Sequence, residues 1–167
     1  MTKGKNNLMR SSLPSGMRRR IHASGVPYFY WELPSSGRVE IALGPDYKKG
    51  LLLRAQYLLN FSPENADQLT NSSLVLNLYR EAVVPIQYVA VREENQRAVE
   101  KLLAYCVEKD VIWDEVIQQK YRSDYLQWRG PNCSIRARRE WELVGAIQKW
   151  ISVTYLKKPI TETSTLE

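Results

Sequence analysis

Met17-Arg18-Arg19-Arg20-Ile21-His22, Tyr28-Phe29-Tyr30-Trp31-Glu32-Leu33 and Val39-Glu40-Ile41-Ala42-Leu43 follow one another in residues 17–43. Each run alternates with period two, the spacing at which successive side chains leave opposite faces of a strand. Met17, Arg19 and Ile21 share one side of the first run, and Arg18, Arg20 and His22 the other. In the second, Phe29, Trp31 and Leu33 oppose Tyr28, Tyr30 and Glu32; in the third, Val39, Ile41 and Leu43 point inward. Ala23-Ser24-Gly25 and Pro34-Ser35-Ser36-Gly37 are turn signals between the runs, and Gly44-Pro45-Asp46 stops the third and offers a helix cap. From Tyr47 to Asn60 the period becomes helical, with Leu51, Leu52, Ala55, Leu58 and Leu59 on one side. The reading is a three-stranded antiparallel sheet with one helix behind it. The sheet's other face displays Arg18, Arg20, Tyr28 and Tyr30.

Charge points the same way. Residues 1–60 hold ten Lys and Arg against three Asp and Glu, a net of +7; residues 61–167 hold fourteen against fifteen, a net of −1, within the overall +6. A basic unit joined to a nearly neutral body suits a polyanion, because each bound cation releases counterions condensed on a nucleic-acid backbone. A small sheet with a basic, aromatic face can enter a major groove. The same residues also admit a simpler reading, in which the arginines solubilise the sheet and the tyrosines cover their stems.

Beyond the sheet the chain reads in segments. Residues 1–12 are polar and basic, a flexible tail whose Lys3, Lys5 and Arg10 are candidate phosphate contacts. The first unit covers 13–61. Residues 62–69, with Pro63 and small polar neighbours, read as a linker. Residues 70–159 read as all helical, in four helices: one capped by Asn71 or Ser72 with Leu74, Leu78 and Val83 inward; one over 91–109 with Val91, Ala98, Leu102, Tyr105 and Cys106 inward; one over 114–128 with Ile117, Tyr121 and Tyr125; and one from a Ser134 cap to Tyr155 with Trp141, Val144, Ile147 and Ile151. Residues 160–167 are a tail. The class is α+β. The last helix opens with Arg136, Arg138 and Arg139, although a helix dipole disfavours cations at its N-terminus. Either a phosphate shares these arginines with the exposed backbone N–H groups, or they pair with Glu140, Glu142 or nearby acids.

Enzyme chemistry is hard to assemble from these parts. There is one histidine, His22, and no phosphate-binding glycine loop or metal-ligand spacing. Cys106 and Cys133 suit free thiols in a reducing cytosol, and Asn132-Cys133-Ser134 is a chance sequon without a secretory signal. No apolar run is long enough to span a bilayer, so no membrane partner is expected. Neither a metal nor a cofactor is called for.

The order of these parts resembles a family. Leu13-Pro14, the three strands with Tyr28-Phe29-Tyr30-Trp31, Ala42-Leu43-Gly44 and the apolar helix are similar to the arm-binding domain of lambda-integrase-like phage tyrosine recombinases. Tyr125-Leu126-Gln127-Trp128-Arg129-Gly130, Ser134-Ile135-Arg136-Ala137-Arg138-Arg139-Glu140 and Leu156-Lys157-Lys158-Pro159 are similar to stretches of their core-binding domain. The resemblance implies a four-helix, SAM-like second domain and sequence-specific binding of double-stranded DNA in site-specific recombination and integration. Arg18, Arg20, Tyr28 and Tyr30 would face the arm site, and Arg136, Arg138 and Arg139 the core site. It implies other integrase subunits or accessory recombination proteins as partners, and a cytoplasmic, nucleoid-associated location in a bacterial host. The family's catalytic domain has no counterpart here, so this chain by itself is not expected to break or join DNA. Two alternatives stand beside this reading: an RNA-binding module that stacks unpaired bases on the tyrosines, and a protein-interaction module anchored by Trp113, Trp128, Trp141 and Trp150.

Overall fold

The computed structural model describes residues 13–34 and 39–156. The tails expected at 1–12 and 160–167, with Lys3, Lys5 and Arg10, lie outside the described residues.

The α+β reading holds. Strands β1 (Met17–Ile21), β2 (Pro27–Glu32) and β3 (Glu40–Gly44) form an antiparallel sheet in the order β1-β2-β3. Gly25, at φ 81°, closes the first hairpin with its N–H on the His22 carbonyl at 2.8 Å, a backbone region that glycine enters without a Cβ clash. Helix α1 (Tyr47–Leu58) then crosses one sheet face. Asp46 caps it, accepting from the Lys49 N–H at 3.1 Å. Asn60, at φ 49°, ends it: the Phe61 N–H returns to the Gln56 carbonyl at 2.9 Å and the Asn60 N–H to Tyr57 at 3.3 Å, which satisfies two terminal carbonyls. Met17, Phe29, Trp31, Leu43 and Leu51 form the core between sheet and helix. Gly50 allows the close approach, since a Cβ there would sit 3.3 Å from Leu43 Cβ.

The helical body contains α2 (Ser72–Ala82), α3 (Val89–Lys109), α4 (Trp113–Val116), α5 (Gln119–Arg129) and α6 (Ser134–Tyr155). Four of these are the long helices expected, while the helix read over 114–128 is broken at Ile117–Gln118 into the single turn α4 and α5. Asn71 caps α2 through the Leu74 N–H at 3.1 Å. Ser72 is buried and donates to the Val111 carbonyl at 2.6 Å, tying the start of α2 to the link after α3. Ser134 is the first residue of α6 rather than its cap, and the capping position is Cys133, with no side-chain hydrogen bond.

The segment 62–69, expected as a linker, is packed instead. Pro63–Thr70 form short 3₁₀ turns on either side of a kink at Asn65, and Leu69 is buried in the same core as Val75, Leu102 and Ile147. Helix α1 also belongs to both units: Leu51 serves the sheet core, whereas Ala55 lies in the helical one. Arg54 pairs with Glu81 of α2 at 2.9 Å, and the Gln56 amide donates to Tyr155 Oη at 3.1 Å. Ile21, Val39, Leu58, Val91 and Ile117, expected inward, are exposed: Ile21 ends β1, Val39 precedes β3, Leu58 ends α1, Val91 lies in the first turn of α3 and Ile117 in the break between α4 and α5.

Candidate nucleic-acid interface

Register brings the four sheet residues together. Arg18 stands opposite Tyr30 and Arg20 opposite Tyr28. An irregularity at Phe29/Tyr30 sets Tyr30 against Ala42 and Glu32 against Glu40. Arg18, Arg20, His22, Tyr28, Tyr30, Glu32, Glu40 and Ala42 therefore share the face that α1 leaves open. Arg19 alternates to the other side and is also exposed.

The aromatic part of this face is ordered. His22 stacks on Tyr28 with centroids 4.8 Å apart, and Tyr28 lies 5.4 Å from Tyr30. His22 Nε2 and Tyr30 Oη are 3.0 Å apart. The Arg20 guanidinium sits over the Tyr30 ring at 4.7 Å, the geometry of a cation–π contact.

The charged part differs from the expectation. Arg18 Nη2 donates to Glu32 Oε2 at 2.9 Å, and Arg20 Nη2 reaches across β2 to Glu40 Oε2 at 2.9 Å. Two arginines against two glutamates make this face charge-balanced rather than electropositive. Glu32 and Glu40 stand directly opposite each other, a like-charge pairing that a sheet tolerates only with cations nearby. The arginine side chains remain 62% and 52% exposed, so their pairs lie in solvent. Such pairs are worth about 0–1 kcal/mol, and a competing phosphate or base edge can displace the glutamate.

At the start of α6 the question left open by the sequence has an answer. Glu140 is buried and already engaged: it accepts from Arg129 Nε at 2.8 Å, Arg129 Nη2 at 2.9 Å and Tyr125 Oη at 2.6 Å. The hydrogen bond to Glu140 raises the Arg129 pKa further. Burial, together with Glu140, pushes the Tyr125 hydroxyl well above its ordinary value. Among the described residues, Arg136, Arg138 and Arg139 are exposed and none is in an ion pair. They are not one patch. At 100° per residue, Arg136 and Arg139 fall on one side of α6 and Arg138 on the opposite side. Arg136 and Arg139 line a cleft of about 760 Å³ against α3, where Glu93, Glu94 and Glu100 face them together with Lys101.

Sequence reasoning missed Arg129, Glu140 and Tyr125 as a buried network, and the part His22 plays in the ring stack. Alternation does place His22 beside Arg18 and Arg20, and helical spacing places Glu140 on the inward side with Val144, Ile147 and Ile151, so each carried a signal. Trp113 and Trp141 are buried, and Trp128 and Trp150 pack at the edge of the helical core, so the four tryptophans serve the interior first. Among the described residues no cluster of His, Cys, Asp and Glu could hold a metal ion, and no helix is long and apolar enough to cross a membrane. No family model matches the chain, and neither a curated protein nor a solved structure was found to be similar to it.

Proposed function

We propose that this protein binds double-stranded DNA in a sequence-dependent manner through the open face of β1–β2–β3, at sites on which a phage-type integrase acts. The observation that carries the reading is the sidedness of the sheet. Its inner face packs on α1, while its outer face carries two arginines, two tyrosines, a histidine and two glutamates, with no element over them among the described residues. A two-stranded β-ribbon fits the width of a major groove, and β1 and β2 carry both arginines and both tyrosines.

The charge balance of the face bears on how it would act. Glu32 and Glu40 hold the guanidinium forks of Arg18 and Arg20 above the sheet, and such a fork matches the O6 and N7 acceptors of guanine. On displacement a glutamate can itself accept from cytosine N4. The face is thus suited to reading bases more than to gathering phosphates. Non-specific attraction would fall to cations such as Arg136 and Arg139. Each phosphate contact adds about −0.9 to the slope of log affinity against log salt.

Fluorescence anisotropy with a labelled duplex across a salt series tests this. Affinity should fall steeply with salt, and Ala at both Arg136 and Arg139 should flatten the slope by about 2. Ala at Arg18 or Arg20 should narrow the gap between preferred and random duplexes. Salt-insensitive binding, or none, removes the reading. The His22–Tyr28–Tyr30 stack favours a second reading, single-stranded nucleic acid laid on aromatic rings. A single strand that outcompetes the duplex of the same sequence would favour it.

A further inference from the structure

The corner that leads into α3 presents large apolar side chains that the fold does not use. Tyr88 holds the capping position of α3 but makes no side-chain capping hydrogen bond, and it belongs to neither core. It is 88% exposed, and Val89 after it is 70% exposed. The backbone beneath them is nevertheless pinned. Arg92 donates Nη2 to the carbonyls of Pro85 at 3.0 Å and Gln87 at 3.1 Å. The Gln87 amide donates to Tyr79 Oη at 3.3 Å and accepts from Asn95 Nδ2 at 2.8 Å. An aromatic side chain on fixed backbone costs little ordering when it is covered, which suits the anchor of an interface.

Next to this corner a groove of about 410 Å³ opens between α1, the end of α2 and the end of α6. Leu52, Val83, Ile86 and Trp150 give it an apolar lining, and Ile86, itself exposed, links it to the corner two residues before Tyr88. Lys48 and Lys49 line it too; both are exposed, and among the described residues neither side chain is in an ion pair. The corner carries the opposite charge. Glu93 falls on the same side of α3 as Val89, four residues on, with Glu94 beside it. Glu93 reaches only Arg97, at 3.8 Å and in solvent, and Glu94 is in no ion pair among the described residues. One surface thus joins a projecting aromatic with acids behind it to an apolar groove flanked by lysines. The two halves match in shape and in charge, and their adjacency lets a two-fold axis set each against its counterpart on another copy.

We propose that this surface joins two copies of the chain in an isologous dimer. Tyr88 and Val89 of each copy sit in the groove of the other, and Glu93 and Glu94 face Lys48 and Lys49. The contact uses none of the residues on the open sheet face, so it does not depend on the DNA reading.

Sedimentation equilibrium of the full chain without DNA, from micromolar to submillimolar concentration, tests it. The parent should dimerise with a micromolar dissociation constant. Tyr88→Ser removes an exposed ring, leaves the hydrogen bonds of the corner in place, and should weaken the dimer by about tenfold or more. Lys48→Glu with Lys49→Glu, and separately Glu93→Lys with Glu94→Lys, set like charges across both halves of the contact, so each protein alone should stay monomeric. An equimolar mixture of the two should dimerise again, because both halves then pair opposite charges; that recovery also shows that neither variant has lost its fold. A parent that is monomeric throughout the range overturns the proposal, and the corner then serves a different protein. A dimer that Tyr88→Ser leaves unweakened, or a mixture that stays monomeric, overturns it as well.

Discussion

Glu140→Gln is the sharpest perturbation the helical body offers. Glu140 is 6% exposed and holds three hydrogen bonds, two of them from an Arg129 side chain that is itself 12% exposed. The amide keeps the shape and one acceptor oxygen but removes the charge. Arg129 is then a buried cation without a counterion, and breaking a buried pair in this way costs about 3–5 kcal/mol. Against a total stability of about 5–15 kcal/mol, that is a large share. For a chain of this size, each kcal/mol shifts the melting temperature by about 2–4 °C, so the variant should melt about 6–20 °C lower. Urea unfolding followed by tryptophan fluorescence measures it directly, because Trp128 and Trp141 pack beside Tyr125. Replacing all three partners, Glu140→Leu with Arg129→Met and Tyr125→Phe, should recover most of the loss, since a packed apolar cluster can stand in for a buried ion pair and leaves no buried hydroxyl unmet. A loss below about 1 kcal/mol for Glu140→Gln would refute the reasoning, for it would mean that Arg129 reaches solvent and does not depend on Glu140.

Three further outcomes follow from the packing and the surface. Glu40→Gln releases Arg20 and removes one anion from the open face; it should cost no more than about 1 kcal/mol in stability and tighten non-specific duplex binding, measured by anisotropy at low salt. Gly50→Ala sets a Cβ 3.3 Å from Leu43 Cβ and 3.6 Å from Met17 Cε; the crowding costs about 1–3 kcal/mol against about 0.5–1 kcal/mol gained in helix propensity, so urea unfolding should show a net loss of no more than about 2 kcal/mol. Burial raises the Cys106 thiol pKa to about 11, so at pH 8 it is almost wholly protonated in the native state. The half-buried Cys133 should react first with a thiol reagent, and Cys106 only after denaturant is added.

The sheet was legible because a period of two leaves little choice: Phe29 and Trp31 had to face one way and Tyr28 and Tyr30 the other. The same holds for α1, where Asp46 and the Leu51–Ala55 side mark a start and a buried face. The glutamate partners of Arg18 and Arg20 were not legible. Glu32 meets Arg18 through the register of β1 on β2, and Glu40 meets Arg20 only through the register of β3 on β2, which the irregularity at Phe29/Tyr30 sets and no local pattern reveals. The segment 62–69 has the composition of a linker, and composition records turn-forming residues without recording whether Leu69 finds a core. The break at Ile117–Gln118 carries neither Gly nor Pro, so helical spacing runs through it unmarked. Glu140 falls on the same side of α6 as Val144, Ile147 and Ile151, so a helical wheel marks it as an inward charge; its partner Arg129 was not legible, because only the meeting of α5 and α6 brings the two together.

Titrating unlabelled duplex DNA into the ¹⁵N-labelled protein and following backbone amides is the most direct test of the open face as a DNA surface. The amides of Arg18, Arg20, His22, Tyr28 and Tyr30 should shift together, in proportion to bound DNA, while those of the buried α1 positions Leu51 and Ala55 stay in place. Shifts confined to the helical body, with β1 and β2 unmoved, would contradict the account.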